Sequence, residues 1–287
     1  MTAENNSYRT RPISHSFEAN GLKHSFQDWG EGSPRHLVML HGLQSQSHTF
    51  DGFATQVRDD FRVVAPDLRG HGETDHAVDG YLLERFVADL RALVRHLNLP
   101  SLSLVGHSLG SFIAIRFAAD YPELVDRLVL EDGGPGLDFE TARDGSTESF
   151  VKPLGFDTIE DAKAWLRERN PNDSDERLER RVAQTMKQNW AEKWVIRHDH
   201  ELYWLLAEGS RGLHEQVQEL WDMLASITCP VLLVRGGESP LLSSEAAQRI
   251  VDATGNGTLV EIPNAGHSVH SEKSDEFRQA VVTFLKG

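Results

Sequence analysis

The stretch SLSLVGHSLGSFIAIRF, residues 101–117, decides the fold of this chain. Its first part, SLSLVG, is a short apolar run typical of a strand that is buried on both faces. Its second part, SLGSFIAIRF, has the character of a helix. Between them, Gly106-His107-Ser108-Leu109-Gly110 fits the pattern G-x-S-x-G. After a strand and before a helix, this pattern predicts a tight turn that exposes the Ser108 hydroxyl beside the free N–H groups of a helix N-terminus.

Apolar runs and helix-like stretches alternate on both sides of this turn. The further predicted strands are RHLVMLHGL, FRVVAPDLRG, VDRLVLED, PVLLVRGG and GTLVEIPNAG. Strands that alternate with helices indicate βαβ units, so the predicted class is α/β with a doubly wound, mostly parallel sheet. Near the N-terminus, two runs of alternating polarity flank Asn20-Gly21, and this pair predicts a β-hairpin.

The alternation stops after Asp132 and resumes at PVLLVRGG. Between residues 133 and 227 the pattern is helical throughout and rich in polar residues. We therefore predict one α/β core domain, formed by residues 1–132 and 228–287. The predicted insertion, residues 133–227, is a helical cap whose size is typical of a small domain.

A serine hydroxyl is a weak nucleophile at neutral pH and needs a base. The stretch IPNAGHSVHSE supplies His267 directly after the apolar run TLVEIP, and His270 is the alternative base. Acyl transfer also needs hydrogen-bond donors for the oxyanion. Gly42, in the loop after HLVML, lets the backbone turn, so that the Leu43 and Leu109 N–H groups are predicted to form an oxyanion hole.

Six stretches of this chain match the motifs of one protein family and occur in that family's order. They are LHGLQSQSHTF, APDLRGHGET, LVGHSLG, LVLEDGGP, PVLLVRGG and IPNAGH. The chain thus resembles the α/β-hydrolase fold superfamily over nearly its whole length. The resemblance implies an eight-stranded, mostly parallel sheet, with residues 133–227 as the cap that many members insert after the sixth strand. It also implies a cofactor-independent, capped serine hydrolase similar to carboxylesterases and lactonases.

The acidic member of the expected triad departs from the family's common pattern. Most members place an aspartate after the seventh strand, but here that stretch is RGGESPLLS, with Ser239 in the aspartate's place and Glu238 one residue away. Other members carry the acid after the sixth strand, which here ends with Glu131 and Asp132. Neighbours in a strand point to opposite sides, so only one of these two can face the histidine. Motif alignment favours Asp132, and Glu238 and Glu131 remain the alternatives.

The serine nucleophile narrows the chemistry. Dehalogenases and epoxide hydrolases of this fold attack with an aspartate, whereas the resemblance here places Ser108 in that role. A serine implies an acyl-enzyme, and hence an ester, lactone, thioester or amide of a small organic molecule as substrate. Two alternatives remain, namely a C–C bond hydrolase of a ring-fission product and a small-molecule receptor that retains the hydrolase fold.

Other candidate residues receive structural interpretations. His41 is expected to pack behind the oxyanion loop, His107 to be a packing or hydrogen-bonding neighbour of the serine, and Arg69 and His71 to be structural residues of the loop DLRGHGET. The pair in HDH, residues 198–200, resembles metal ligands, but no third ligand stands nearby in the sequence. We interpret it as part of a polar helix face and predict no metal.

Composition limits the partners. The chain has 287 residues, a net charge of −15 and a pI near 5.3, so nucleic acid is a poor partner and no basic run suggests an anionic membrane. Cys229 is the one cysteine, which rules out an intramolecular disulfide and fits a reducing compartment. The N-terminal stretch MTAENNSYRTRP lacks the apolar core of a secretory signal. We predict a cytoplasmic monomer or homodimer that acts on a small molecule.

Overall fold

The computed structural model describes residues 11–30, 33–138, 140–141, 153, 155–169, 174–206 and 213–287. Its strands are β1 (Ile13–Ala19), β2 (Leu22–Asp28), β3 (His36–Leu40), β4 (Arg62–Pro66), β5 (Leu102–His107), β6 (Val125–Glu131), β7 (Met186–Gln188), β8 (Trp194–Ile196), β9 (Val231–Gly236) and β10 (Gly257–Ile262). Its α-helices are α1 (Asp51–Val57), α2 (Leu83–His96), α3 (Leu109–Asp120), α4 (Ile159–Arg169), α5 (Asp175–Thr185), α6 (Leu213–Leu224), α7 (Ser244–Thr254), α8 (Val269–Glu272) and α9 (Ser274–Lys286). Short 3₁₀ segments span Ser47–Phe50, Pro122–Leu124 and His200–Leu206.

The main sheet has eight strands in the order β1-β2-β4-β3-β5-β6-β9-β10. Strand β2 pairs antiparallel with β1 and with β4, and all other neighbours are parallel. The hairpin turns at Asn20 and Gly21, whose φ angles of 51° and 76° fit the turn that this pair predicts. The predicted doubly wound, mostly parallel α/β sheet is therefore confirmed.

Alternation along the strands divides the core into two apolar layers. On β5, Leu102 and Leu104 face one layer with α2, α3, α6 and α7, whereas Val105 faces the other layer with α1 and α9. On β6, Leu128 and Val129 divide in the same way. Because both faces are covered, the central strands carry apolar residues on both sides, as expected for a parallel sheet.

The strand order brings the candidate site together. Strand β5 lies between β3 and β6, and β9 follows β6. The loop with Gly42 and Leu43, the turn with Ser108 and the acidic Asp132 therefore follow adjacent parallel strands and meet at one edge of the sheet. This edge, at the carboxyl ends of the strands, is where open α/β sheets bind their ligands.

The cap segment is less helical than its sequence pattern predicts. Helices α4 and α5 are present, but β7 and β8 form a short antiparallel hairpin, so the helical prediction is wrong there. The Asn189 side chain closes this turn by accepting from the N–H groups of Ala191 and Lys193. Strand β8 then continues the pairing outward, since Trp194 exchanges backbone hydrogen bonds with Phe156 at 2.8 and 2.9 Å.

Two further features of residues 133–227 differ from the helical cap that the sequence predicts. Helix α6 packs on α3 and α7, and its Leu220 and Leu224 belong to the layer beneath the main sheet. His198 precedes the 3₁₀ turn and is only 3% exposed, so its assignment to a polar helix face is wrong. The division into core and cap at residues 133 and 227 stays a prediction.

Arg69 organises the loop after β4 from a fully buried position. Its side chain is 0% exposed and binds both carboxylate oxygens of Asp89 on α2, at 2.6 and 3.0 Å. Its Nη1 donates to Asp79 and to the Gly80 carbonyl. A bidentate pair of this kind fixes the loop against α2, in line with the structural role expected from the sequence.

Replacing Asp89 with alanine should lower the free energy of unfolding by about 3–5 kcal/mol, because Arg69 then stays buried without its main counter-charge. Urea denaturation measures the change. The matched control is Asp120→Ala, which breaks an Arg116–Asp120 pair whose side chains are 24% and 36% exposed. It should cost less than about 1 kcal/mol, as for other solvated pairs. Equal losses for the two variants would contradict a structural role for Arg69.

Candidate active site

Ser108 lies at a strained elbow between β5 and α3. Its backbone has φ 51° and ψ −114°, a conformation that residues with side chains rarely adopt and that costs of order 1–3 kcal/mol. The surroundings hold it there. The Ser108 N–H donates to the Glu131 carbonyl at 3.0 Å, and its carbonyl accepts from the Ser111 N–H at 2.9 Å. Such stored strain is typical of functional positions.

The two glycines of the motif make room for the elbow. A Cβ on Gly106 would lie 2.3 Å from the Gly110 carbonyl oxygen, and a Cβ on Gly110 would lie 2.3 Å from the Leu40 carbonyl oxygen. Both contacts are with backbone atoms, which cannot move aside as a side chain would. The glycines therefore allow the start of α3 to press against β3 and β5.

The Gly110→Ala substitution should lower the free energy of unfolding by about 2–3 kcal/mol and reduce activity, because the new methyl group forces α3 away from β3. The control is Gly52→Ala on α1, where an added Cβ meets no atom within 4 Å. There alanine should raise stability by up to about 1 kcal/mol through its better helix propensity. Chemical denaturation of both variants tests the pair, and a neutral Gly110→Ala would show that the close approach can relax.

His267 contacts Asp132 directly. Its Nδ1 lies 2.7 Å from Asp132 Oδ2, and the aspartate side chain is 0% exposed. The carboxylate also accepts from the Gly236 N–H at 3.0 Å and from the Ser239 hydroxyl. Ser239, at the position where the resemblance would place an aspartate, thus donates to Asp132 at the end of the neighbouring strand.

The alternative acids lie elsewhere. Glu238 is exposed on the loop after β9, and its backbone N–H donates to the Ala265 carbonyl at 2.8 Å. Glu131 is buried on the opposite side of β6 from Asp132, where its carboxylate accepts from His270. The structure therefore brings Asp132 to His267, while the catalytic roles of both residues stay predictions.

The ring of His267 also lies beside the elbow. Its centroid is 4.7 Å from that of His107, the residue that precedes Ser108. The His107 Nε2 is 3.0 Å from the His267 carbonyl oxygen. Because a carbonyl only accepts, this nitrogen carries the proton of the neutral ring. Burial lowers the pKa of His107 to about 3, so the ring stays neutral in ordinary buffers.

The loop after β3 rests directly on the elbow. A Cβ on Gly42 would lie 2.9 Å from His107 Nδ1 and 3.1 Å from the Cβ of Ser108, so a larger residue there would press on the elbow. The next peptide along this loop is fixed by the Gln44 N–H, which donates to His71 Nε2 at 3.0 Å. Leu109 is the first residue of α3, and its N–H has no acceptor within the helix. The oxyanion hole formed by these two N–H groups stays a prediction.

Two buried histidines support this loop, and the sequence indicated a structural role for each of them. His41 Nδ1 donates to the Gly42 carbonyl at 2.8 Å, and its Nε2 accepts from the Leu68 N–H at 3.0 Å. Burial lowers the pKa of His41, which keeps the ring neutral and able to accept. The His41 and His71 rings meet edge to face at 4.9 Å. The loops after β3 and β4 are thereby joined behind the elbow.

A sequence model of the α/β hydrolase fold family matches residues 35–274 of the chain. The chain belongs to this family. Among its relatives, 3-hydroxybutyrate-oligomer hydrolase of Cupriavidus necator is 28% identical over 254 residues, covering 85% of this chain and 86% of the relative. The 2-(acetamidomethylene)succinate hydrolase of Mesorhizobium japonicum is 29% identical over 260 residues, covering 89% of each chain.

Solved structures agree with this α/β-hydrolase assignment. The crystal structure of E-2-(acetamidomethylene)succinate hydrolase superposes with a TM-score of 0.82 at 25% identity, covering 96% of this chain and 100% of the other. Family membership, the named hydrolase relatives and this structural match make the protein an α/β-fold hydrolase. No helix within the described residues combines the length and apolar character needed to cross a bilayer.

One group of side chains in this α/β-hydrolase has the makings of a metal site. His107, Glu131 and His270 are buried, and their ligand atoms lie within 4.8 Å of one another. However, Glu131 Oε1 already accepts from the backbone N–H and from Nδ1 of His270, both at 2.8 Å. Both ring nitrogens of His270 are already engaged, Nδ1 by Glu131 and Nε2 by the Thr49 hydroxyl, so His270 could bind a metal only by giving up one of these contacts. Hydrogen bonding therefore describes the cluster better. The absence of a metal stays a prediction.

Proposed function

We propose that this α/β-hydrolase is a serine hydrolase that cleaves an ester, lactone or amide-type bond of a small organic molecule. The observation that carries the proposal is the short contact between His267 Nδ1 and the buried Asp132 carboxylate, beside a serine held at a strained elbow. An imidazole oriented in this way keeps its proton on Nδ1 and leaves Nε2 free to act as a base. These are the groups that nucleophilic catalysis by serine requires.

The proposed reaction has two halves. Ser108 Oγ attacks the substrate carbonyl carbon while His267 Nε2 takes the hydroxyl proton, and the oxyanion binds to the N–H groups of Leu43 and Leu109. The tetrahedral intermediate collapses, and His267 returns the proton to the leaving alcohol or amine. Water then attacks the acyl-enzyme with His267 again as base, which releases the acid and restores Ser108. Asp132 stabilises the imidazolium in both halves.

The relatives support hydrolysis of small carboxylic acid derivatives. One is named for an oligomer of 3-hydroxybutyrate, whose units are joined by esters, and another for 2-(acetamidomethylene)succinate, which carries an amide-type bond. The proposed mechanism breaks an ester or an amide-type bond at its acyl carbon. No cofactor is needed for such a step, since the protein supplies nucleophile, base and oxyanion donors.

A covalent probe and a substrate panel test the proposal together. The protein is treated with a fluorophosphonate and digested, and the modified peptide is sequenced by mass spectrometry. In parallel, hydrolysis of short-chain p-nitrophenyl esters, lactones and 3-hydroxybutyrate dimer is followed at neutral pH. We expect a single adduct on Ser108 and turnover on at least one ester. An adduct on another residue, or no turnover on the whole panel, would count against the proposal.

Within the proposed function, the amide-type bond is the second candidate, after the ester. It is favoured by the 0.82 TM-score and nearly complete coverage between this chain and E-2-(acetamidomethylene)succinate hydrolase. Release of acetate from 2-(acetamidomethylene)succinate is the direct assay. Faster turnover of this compound than of any ester would support the second candidate, and a rate equal to the buffer blank would remove it.

A further inference from the structure

A second set of polar side chains lies behind the candidate triad. We call Thr49, His107, Glu131 and His270 the inner cluster. Its histidines and glutamate are close in sequence to the triad, because His107 precedes the nucleophile, Glu131 precedes the acid and His270 follows the base by three residues. The proposed function assigns none of them a role.

Strand geometry explains the arrangement. His107 and Glu131 are register partners at the ends of β5 and β6, so their side chains point to the same face. Two residues earlier, Val105 and Val129 belong to the apolar layer under α1 and α9. Side chains alternate between the two faces of a strand, so His107 and Glu131 are buried at the end of that layer. Asp132, the next residue after Glu131, points to the other side.

The inner cluster holds the loop that carries His267 at two points. On one side, His107 Nε2 donates to the His267 carbonyl at 3.0 Å. On the other side, Glu131 Oε1 accepts from the His270 backbone N–H and from its Nδ1, both at 2.8 Å. The remaining ring nitrogen of His270 is 2.8 Å from the Thr49 hydroxyl.

Charge adds to these contacts. Glu131 and His270 are 0% and 5% exposed, and the sheet and helices exclude water from them. Burial alone would raise the pKa of Glu131, but its electrostatic interaction and hydrogen bonds with His270 hold this pKa below its usual range. A buried carboxylate that stays ionised fixes its partners firmly, because releasing them would leave it unpaired.

We propose that Glu131 and His270 are positioning residues for the catalytic base, an inference that rests on the proposed function. They act by pinning the backbone on the C-terminal side of His267, while Asp132 orients its ring. Without Glu131 the loop keeps its His107 contact but loses two hydrogen bonds. The His267 ring then departs from the line between Asp132 and Ser108.

The key variants are Glu131→Ala and Glu131→Gln. A displacement of about 1 Å at a catalytic group costs on the order of 10²-fold in rate, so Glu131→Ala should lower kcat by about 30–100-fold with KM unchanged. Glu131→Gln keeps an oxygen that accepts from His270 N–H and Nδ1, so its kcat should stay within about threefold of the original protein. Rescue by glutamine separates hydrogen-bond geometry from a general loss of packing.

Three readouts separate positioning from stability. They are kcat and KM on the best ester, the rate of fluorophosphonate labelling of Ser108, and the downfield proton resonance of His267 Nδ1–H. The control is Glu261→Ala, which removes a carboxylate that pairs with Arg235 at 2.6 Å across β9 and β10. The control should lower Tm while leaving all three readouts unchanged. Glu131→Ala should slow labelling and shift or broaden the His267 resonance.

The outcomes are distinguishable. If the original protein labels on a residue other than Ser108, the proposed function fails. If it labels on Ser108 but folded Glu131→Ala keeps its full kcat and an unchanged His267 resonance, only the positioning role fails. Should Glu131→Ala not fold, Thr49→Val removes the hydroxyl beside His270 Nε2 at little cost in volume. We expect that variant to lower kcat about three- to tenfold at constant KM, and an unchanged kcat would overturn the inference.

Discussion

Replacing Ser108 with alanine is expected to lower kcat/KM by about 10⁴-fold or more. Without Oγ no acyl-enzyme can form, and His267 and the oxyanion donors are left to assist direct attack by water. The loss is large because the members of a triad act as a unit. The free energy of unfolding should change little, since alanine keeps the Cβ and the same strained backbone with φ 51°.

Steady-state kinetics on the best ester measures this loss, with circular dichroism to confirm the fold. The matched control is Ser101→Ala, which removes a hydroxyl that donates to Asp126 at 2.7 Å. Ser101 directly precedes β5, at the opposite end of the strand from Ser108. The kcat/KM of Ser101→Ala should therefore stay within about twofold of that of the original protein. A Ser108→Ala protein that keeps more than about a tenth of the original kcat/KM would show that another nucleophile carries the reaction.

The sequence predicts the elbow because local rules and topology agree there. An apolar run, two glycines and a helix-like run specify a sharp turn. In the structure, the absence of a Cβ avoids a clash between Gly106 and the Gly110 carbonyl, and between Gly110 and the Leu40 carbonyl. The alternation of strands and helices similarly predicts the parallel sheet. In both cases the information lies within a few residues of the feature it specifies.

The sequence reduced the candidates for the acidic member of the triad to a few residues but could not decide between them. Alternation separates Glu131 from Asp132, yet it does not say which side faces His267. The structure shows that Asp132 lies just beyond β6 with a φ of 43°, and that Gly236 and Ser239 from the next strand's end both donate to it. These donors are about a hundred residues away in sequence and belong to the tertiary fold.

The hairpin of β7 and β8 could not be predicted from the sequence for a related reason. Its turn contains no glycine, and Glu192 takes the left-handed conformation with a φ of 60°. The turn is closed by the Asn189 side chain, and the strand Trp194–Ile196 pairs with a distant Phe156. The flanking residues favour a helix locally and so led to a helical prediction. The short strands are stabilised by long-range pairing, which local sequence patterns do not show.

The second large effect is expected for Asp132→Asn, which should lower kcat/KM by about 10³–10⁴-fold. The carboxylate accepts from three donors, namely the Gly236 N–H, the Ser239 hydroxyl and His267 Nδ1. An amide has only one oxygen. If that oxygen accepts from Gly236, the NH₂ group faces His267 and forces the proton onto Nε2. That tautomer cannot take a proton from Ser108. If the amide is reversed, two N–H donors oppose each other at Gly236.

Glu238→Gln is the decisive comparison, because Glu238 lies one residue from the position where the family commonly has its acid. Its side chain is exposed, whereas the Asp132 carboxylate is buried against His267 at 2.7 Å. We therefore expect Glu238→Gln to keep its kcat/KM within about twofold, as for most solvated side chains. Equal fluorophosphonate labelling of Glu238→Gln and of the original protein would agree with this, while Asp132→Asn should label far more slowly. A larger loss in Glu238→Gln than in Asp132→Asn would transfer the acid role to Glu238, because the loop after β9 would then have to reorganise around His267 during turnover.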